Sequence, residues 1–311
     1  MSLKSKLDSN EFAILAEIEP PKGVDVSEMT TNAAKVKGVV DAFVVPEMSN
    51  AVMRMSSLGA SMILQSKGLD TIMQVCCRDR NRLALQADIL AAGACGIENI
   101  MAVTGEDPSF GDHHQAKAVY GVELIELLDA IQMLQSGRDM AGIDLQGTPV
   151  FEVGSTVNAG LKGDELEIEL EEMNKKIESG TRFFITPPLF DIESIEPFLK
   201  VVDHTKTKII PTVLLLKSVG MARYMGRNMK HVHIPDYIIK RITKAPDKVR
   251  ECILITRDLI GALEKEGLSG AFISTIGWEQ KLPEILGLTG NCPRISHNEF
   301  LRTATIENSH R

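Results

Sequence analysis

Residues 13–23 read Ala13-Ile14-Leu15-Ala16-Glu17-Ile18-Glu19-Pro20-Pro21-Lys22-Gly23. The opening run is short and apolar, which suits a strand covered on both faces. The residues just after this run decide between the two common parallel architectures. A doubly wound sheet usually carries Gly-x-Gly-x-x-Gly after its first strand, where it sets a pyrophosphate on a helix N-terminus. Here that place holds two prolines. No Gly-x-x-x-x-Gly-Lys-Ser/Thr loop occurs elsewhere in the chain.

Working outward, seven more runs resemble the first, which spans 13–18. They are 40–45, 71–76, 99–103, 149–153, 183–186, 208–213 and 271–274. Amphipathic stretches separate them. Leu166, Leu170, Met173 and Ile177 recur at helical spacing before Gly180, as do Val249, Ile253, Thr256, Ile260 and Leu263 before Gly267. Gly68, Gly93 and Gly96 also read as residues just past helices. Eight βα units with no dividing linker predict an α/β protein, a single (β/α)₈ TIM barrel spanning 1–311. Residues 1–11 and 290–311 read as terminal extensions. A doubly wound sheet is the second choice.

The chain has 311 residues, 44% hydrophobic and 24% charged, with a net charge of −8. That composition gives a large core and no basic face for nucleic acid. The longest clean aliphatic run, 209–216, contains Pro211 and is far short of the ~20 residues of a spanning helix, so no membrane association is expected. The five cysteines, Cys76, Cys77, Cys95, Cys252 and Cys292, are odd in number and lack Cys-x-x-Cys spacing. They read as reduced thiols in a cytoplasmic protein, with Cys76-Cys77 as strand filler.

Barrel sites lie at the C-terminal ends of strands. On the first strand Leu15, Glu17 and Glu19 share one face. If that face points inward, two carboxylates hang at the mouth, and crowding there would raise their pKa values toward those of a general acid. The alternative is a solvated strand end, or pairing with lysines. The fourth strand ends Thr104-Gly105-Glu106-Asp107-Pro108. Its glycine would let backbone approach a flat ligand, or simply serve an ordinary capped loop. The sixth ends Thr186-Pro187-Pro188-Leu189-Phe190-Asp191, a stiff loop with Asp191 as a helix N-cap. His231-Val232-His233 lacks a third metal ligand. His113-His114 and the acidic run 164–172 read as solvated.

Taken together, these strand ends resemble the methylenetetrahydrofolate reductase family from about Phe12 to about Leu288. The family's opening Glu-x-x-Pro-Pro is Glu17 to Pro21, and its Gly-acid-x-Pro is Gly105 to Pro108. The element before the sixth strand is Ser179-Gly180-Thr181, and Ile-Thr-x-x-x-Phe-Asp is Ile185 to Asp191. The seventh-strand run is Ile209-Ile210-Pro211-Thr212-Val213-Leu214. The resemblance implies a flavoprotein oxidoreductase of one-carbon metabolism. Such an enzyme interconverts methylenetetrahydrofolate and methyltetrahydrofolate by hydride transfer from reduced flavin.

By the same resemblance Glu17 is the general acid. Glu106 lies at the flavin–folate junction, where the family usually has Asp. Gln74 stands where many members have a flavin-contacting His. Thr104, Gly105, Tyr120, Gly121, Gly154, Asn158 and Lys176 fall on other flavin-contacting positions. Pro187 and Met221 occupy substrate-binding positions that hold Gln in many members, Met225 stands where they have Phe, and Trp278 lies near a late Arg. The implied cofactor is FAD, with FMN as the alternative. The chain resembles the branch found in anaerobes, so electrons would come from NAD(P)H or from a partner subunit, in an oligomer or heteromeric complex. Two other readings are a pterin-binding methyltransferase barrel and a non-catalytic folate-binding subunit.

Overall fold

The computed structural model describes residues 2–230 and 232–289. Eight parallel strands close into a barrel in chain order, β1-β2-β3-β4-β5-β6-β7-β8. They are β1 (Ala13–Glu17), β2 (Ala42–Val45), β3 (Thr71–Cys76), β4 (Asn99–Val103), β5 (Glu152–Thr156), β6 (Phe183–Leu189), β7 (Lys208–Leu214) and β8 (Gly270–Ser274). Closure pairs Ala13 with Gly270 and Leu15 with Phe272. The helices are α1 (Leu3–Asp8), α2 (Ser27–Lys35), α3 (Ser57–Gln65), α4 (Arg82–Ala94), α5 (Leu124–Gln135), α6 (Asp164–Glu178), α7 (Glu196–Leu199), α8 (Val219–Asn228), α9 (Asp236–Lys244), α10 (Lys248–Lys265) and α11 (Leu282–Ile285). None is long and apolar enough to cross a membrane, among the described residues.

The period-2 alternation sorts β1 cleanly. Ala13 and Leu15 pack in the lumen with Val44, Ile72, Met101, Phe183, Ile185, Ile210 and Phe272. Ile14, Ala16 and Ile18 face the helical layer. Each fully buried side chain of this kind contributes about 1.5–3 kcal/mol. The barrel is therefore a packed core with its chemistry confined to the rims. Residues 2–11 do more than extend it. Leu3 and Leu7 of α1 are buried against the lumen residues and plug its N-terminal end. Lys6 holds the plug to the wall through Asp41, at 2.9 Å, and the same carboxylate accepts the Ile14 N–H.

Three local expectations shift. The fifth strand starts at Glu152, not Pro149. Proline has no N–H for a ladder, and the Phe151 N–H goes to the Gln135 side chain instead. The first strand-to-strand bond runs from the Glu152 N–H to the Glu98 carbonyl. Pro187 and Pro188 lie inside β6 rather than in a loop after it. A register shift between Ile185 and Pro188 marks a bulge, where a missing donor is tolerated. Gly93 lies within α4, and Gly96, at φ +78°, follows the helix. A Cβ on Gly93 would come within 2.8 Å of Pro149.

Candidate active site at the barrel mouth

Glu17 ends β1 on the lumen face, beside the end of β8. The Ser274 hydroxyl donates to its carboxylate. Desolvation by the barrel wall pushes the Glu17 pKa up to about 7 against the pull of that hydrogen bond, and the Glu19 and Glu279 charges push the same way. Glu279 is itself raised, mainly by burial. Glu19 is paired with Arg54 at 2.8 Å. Lys217, just past β7, donates to the Ile276 carbonyl and lies 4.9 Å from the centre of the Trp278 ring. Burial lowers its pKa. This side of the mouth thus holds a carboxyl group that is half protonated near neutrality, edged by an aromatic face and a cation.

The adjoining side, at the ends of β2, β3 and β4, is held by hydrogen bonds and ion pairs. Gln74 faces inward and its side-chain oxygen accepts the Glu47 N–H. The Glu47 carboxylate accepts from the Ser57 N–H at 2.6 Å and from Arg80 at 2.9 Å. Thr104, Gly105 and Glu106 form an outward shelf, with Glu106 about half exposed. Gly105 has φ +87°, and a Cβ there would lie 2.3 Å from the Cys76 sulfur, so only glycine makes this turn. The Tyr120 hydroxyl returns to the Gly105 carbonyl at 3.4 Å, and the Gly121 backbone lies on Asn81. Asp112 fastens the long β4–α5 loop by accepting from Lys22 and from the Met53 N–H.

Met48, Asn50, Ala51, Tyr120 and Ile276 all adopt left-handed φ, between +40° and +56°. All five lie on loops at the mouth. Each such residue costs about 1–3 kcal/mol and persists only where its surroundings hold it.

Between β4, β5, β6 and α6 opens a pocket of about 570 Å³. Thr104, Asn158, Lys176 and Pro187 line it together, with Glu169 and Glu172. Lys176 is only 6% exposed, and its ammonium donates to the Thr156 carbonyl at 2.9 Å. A buried ammonium has three donors and needs an anion or several acceptors. The same lining sets Glu123, Glu169 and Glu172 beside Lys175 and Lys176. Pairing with Glu169, through the Asn158 N–H, fixes the loop beside it.

Other expected residues stand apart. Gly154 is buried in β5, and a Cβ there would meet the Phe183 ring at 2.2 Å. Its bareness makes room for the Phe183 ring. Met221 is partly buried at the start of α8, whereas Met225 is core. His233 is exposed and His231 lies outside the described residues. No cluster of three or more His, Cys, Asp or Glu fit for a metal occurs among the described residues. Cys76 and Cys77 are free and buried, with burial pushing them up to about 11 and about 12. A larger groove of about 1210 Å³ runs outside the barrel against α9 and α10, and none of the expected site residues line it.

Sequence reading passes over Ser274, Glu279, Lys217, Arg78 and Glu47. The one signal available is position, since each follows or ends an apolar strand run.

The sequence model of the family described as "Methylenetetrahydrofolate reductase" matches residues 2–290. A curated relative, "Methylenetetrahydrofolate reductase 2" of Schizosaccharomyces pombe, is 25% identical over 195 residues, 60% of this chain. The chain covers 30% of that relative's length. Among solved structures, an uncharacterized protein from Clostridium thermocellum described as binding two copies of 5-methyl-5,6,7,8-tetrahydrofolic acid has the same fold. Its TM-score is 0.59 at 16% identity, covering 90% of this chain and 95% of that one.

Proposed function

The chain belongs to the methylenetetrahydrofolate reductase family, and from that premise we propose that it is a flavin-dependent oxidoreductase interconverting methylenetetrahydrofolate and methyltetrahydrofolate. The observation that carries the reading is Glu17, a carboxyl group raised to about 7 at the barrel mouth. An acid of that strength can hold a proton at neutral pH and still release it to a ring nitrogen. Ser274 orients it, and desolvation, helped by the Glu19 and Glu279 charges, keeps the proton on. The neighbour from Clostridium thermocellum, described as binding 5-methyl-5,6,7,8-tetrahydrofolic acid on the same fold, supports a folate ligand.

The residues fit a flavin. The buried Lys176, with Asn158 and Thr104, would hold its phosphate in the 570 Å³ pocket. Gln74, Gly105, Glu106, Tyr120 and Gly121 would border its ring system. The bound flavin supplies the hydride. FAD is the proposed form, with FMN as the alternative. Pro187, in the same pocket wall, brings neither an amide side chain nor an N–H. A pyridine nucleotide would lose anchors there, at about 1–3 kcal/mol each. The isolated chain should therefore accept electrons slowly from NAD(P)H and take them from a partner subunit. The domain would be one barrel over the whole chain, working in the cytoplasm.

The test is anaerobic titration of the purified yellow protein. Methyltetrahydrofolate should bleach the flavin band, while NADH and NADPH bleach it slowly. A colourless chain that neither FAD nor FMN reconstitutes sinks the reading, and bleaching without Glu17 reassigns the acid.

A further inference from the structure

Arg78 is the largest fully buried side chain among the described residues, at 1% exposure. It stands two residues beyond β3, directly behind the Gly105-Glu106 shelf. Its guanidinium is spent on three loops at once. The Asp79 carboxylate takes a forked pair, from Nε at 2.9 Å and Nη2 at 2.7 Å. Nη2 also donates to the Glu47 and Met48 carbonyls, at 3.4 and 3.3 Å. Nη1 donates to the Glu106 carbonyl at 3.3 Å and lies 3.5 Å from its carboxylate. The Val119 N–H, next to Tyr120, returns to the Arg78 carbonyl.

A buried guanidinium is costly unless every donor is used in good geometry. Packing alone would be met by an apolar residue of similar volume. What an apolar residue would not do is fix Glu106. That side chain is half exposed and makes no other ion pair among the described residues. Its backbone carbonyl and its carboxylate are both held from behind by one cation. The cation is itself half neutralised by Asp79. So the charge felt in front of the shelf depends on the Arg78–Asp79 balance as well as on Glu106.

We propose that Arg78 is a positioning residue for Glu106, setting both where its carboxylate points and how much negative charge the shelf presents to a bound flavin and pterin. The proposal rests on the flavin-dependent reading of this site, since it takes Glu106 to border those ligands.

The test uses the flavin-loaded protein and two readouts, the flavin midpoint potential and KM for methyltetrahydrofolate in flavin reduction. Negative charge near a flavin opposes its anionic reduced form. Arg78→Met should therefore lower the potential, and Asp79→Asn should raise it. Arg78→Lys keeps the charge but loses the fork. It should leave the potential near that of the wild type and raise KM about tenfold, the scale of one charged hydrogen bond. In a Glu106→Gln background the same Arg78→Lys change should alter KM less than about twofold, because the carboxylate it aims is gone. Additive effects of Arg78→Lys and Glu106→Gln overturn the proposal. So does a fall in potential in Asp79→Asn, the variant that carries the sign test if Arg78→Met does not fold. A chain that binds no flavin overturns this proposal together with the function; a flavin reduced by methyltetrahydrofolate with additive variants overturns this one alone.

Discussion

On the β8–β1 side of the mouth Glu17 meets a hydroxyl and two other carboxylates, whereas on the β2–β4 side Glu47, Asp79 and Glu106 each meet an arginine. The residue type is the same, and the partner decides what it can do. A carboxylate pressed by desolvation and like charge keeps a proton near neutrality. A carboxylate paired with a guanidinium holds a loop still. On the proposed function, the mouth therefore separates a proton-handling side from a ligand-holding side. On that reading Lys176, a buried cation on α6 lining the pocket between β4 and β6, also acts in ligand holding.

The comparison breaks first at Glu17. Glu17→Gln should lower folate turnover by about 10²-fold or more, the scale of a positioned acid, with flavin content unchanged. Equal turnover, measured in a coupled methyltetrahydrofolate assay, would move the acid to Glu279 or Glu19. On the holding side, Lys176→Met should do the reverse. Flavin affinity should weaken by about tenfold or more, while saturated turnover survives. Fluorescence titration of the apoprotein with FAD and FMN reads this directly, and unchanged affinity would empty the pocket of its assigned phosphate.

Stability sharpens the contrast. Glu17 has an ordinary value of 4.5 and a folded value of about 7. Between them the folded chain holds a proton that the unfolded chain has released. Stability from this group is therefore lost as pH rises through that window. Glu17→Gln should match the wild type near pH 4 and exceed it above pH 7, by about 1–3 kcal/mol. Urea midpoints at several pH values check it, and an advantage at low pH instead would reverse the sign. The smallest functional effect is expected at Gly154. Gly154→Ala meets the Phe183 ring and should cost about 1–3 kcal/mol of stability. Flavin content of the folded fraction should not change; a selective loss of flavin would show that Gly154 contacts it.

The barrel is legible in the sequence because parallel strands covered on both faces write themselves as short apolar runs. β3 and β4 begin and end where those runs do. The start of β5 is hidden because Pro149, Val150 and Phe151 are apolar without being laddered. The end of β6 is hidden because two prolines look like a stop, and only the bulge lets the strand pass through them. At the site, alternation along β1 reveals the face of Glu17. It cannot reveal Ser274, which is 257 residues away and becomes a neighbour only when β8 meets β1. Arg78 is invisible for a related reason. A charged residue after a strand reads as solvent-facing, and its burial depends on three loops arriving together.

The plugged N-terminal end has a kinetic side. Leu3 and Leu7 need the lumen as their pocket, and the lumen exists only once Ala13 is paired with Gly270. The last seam of the barrel thus joins positions more than 250 residues apart. Contacts of such separation form late, after most loop-closure entropy has been met. Until then α1 has an apolar face with nowhere to go, and β1 and β8 each have an open edge. A chain arrested before β8 pairs with β1 would leave both exposed at once, and the pairing that covers them also brings Ser274 to Glu17.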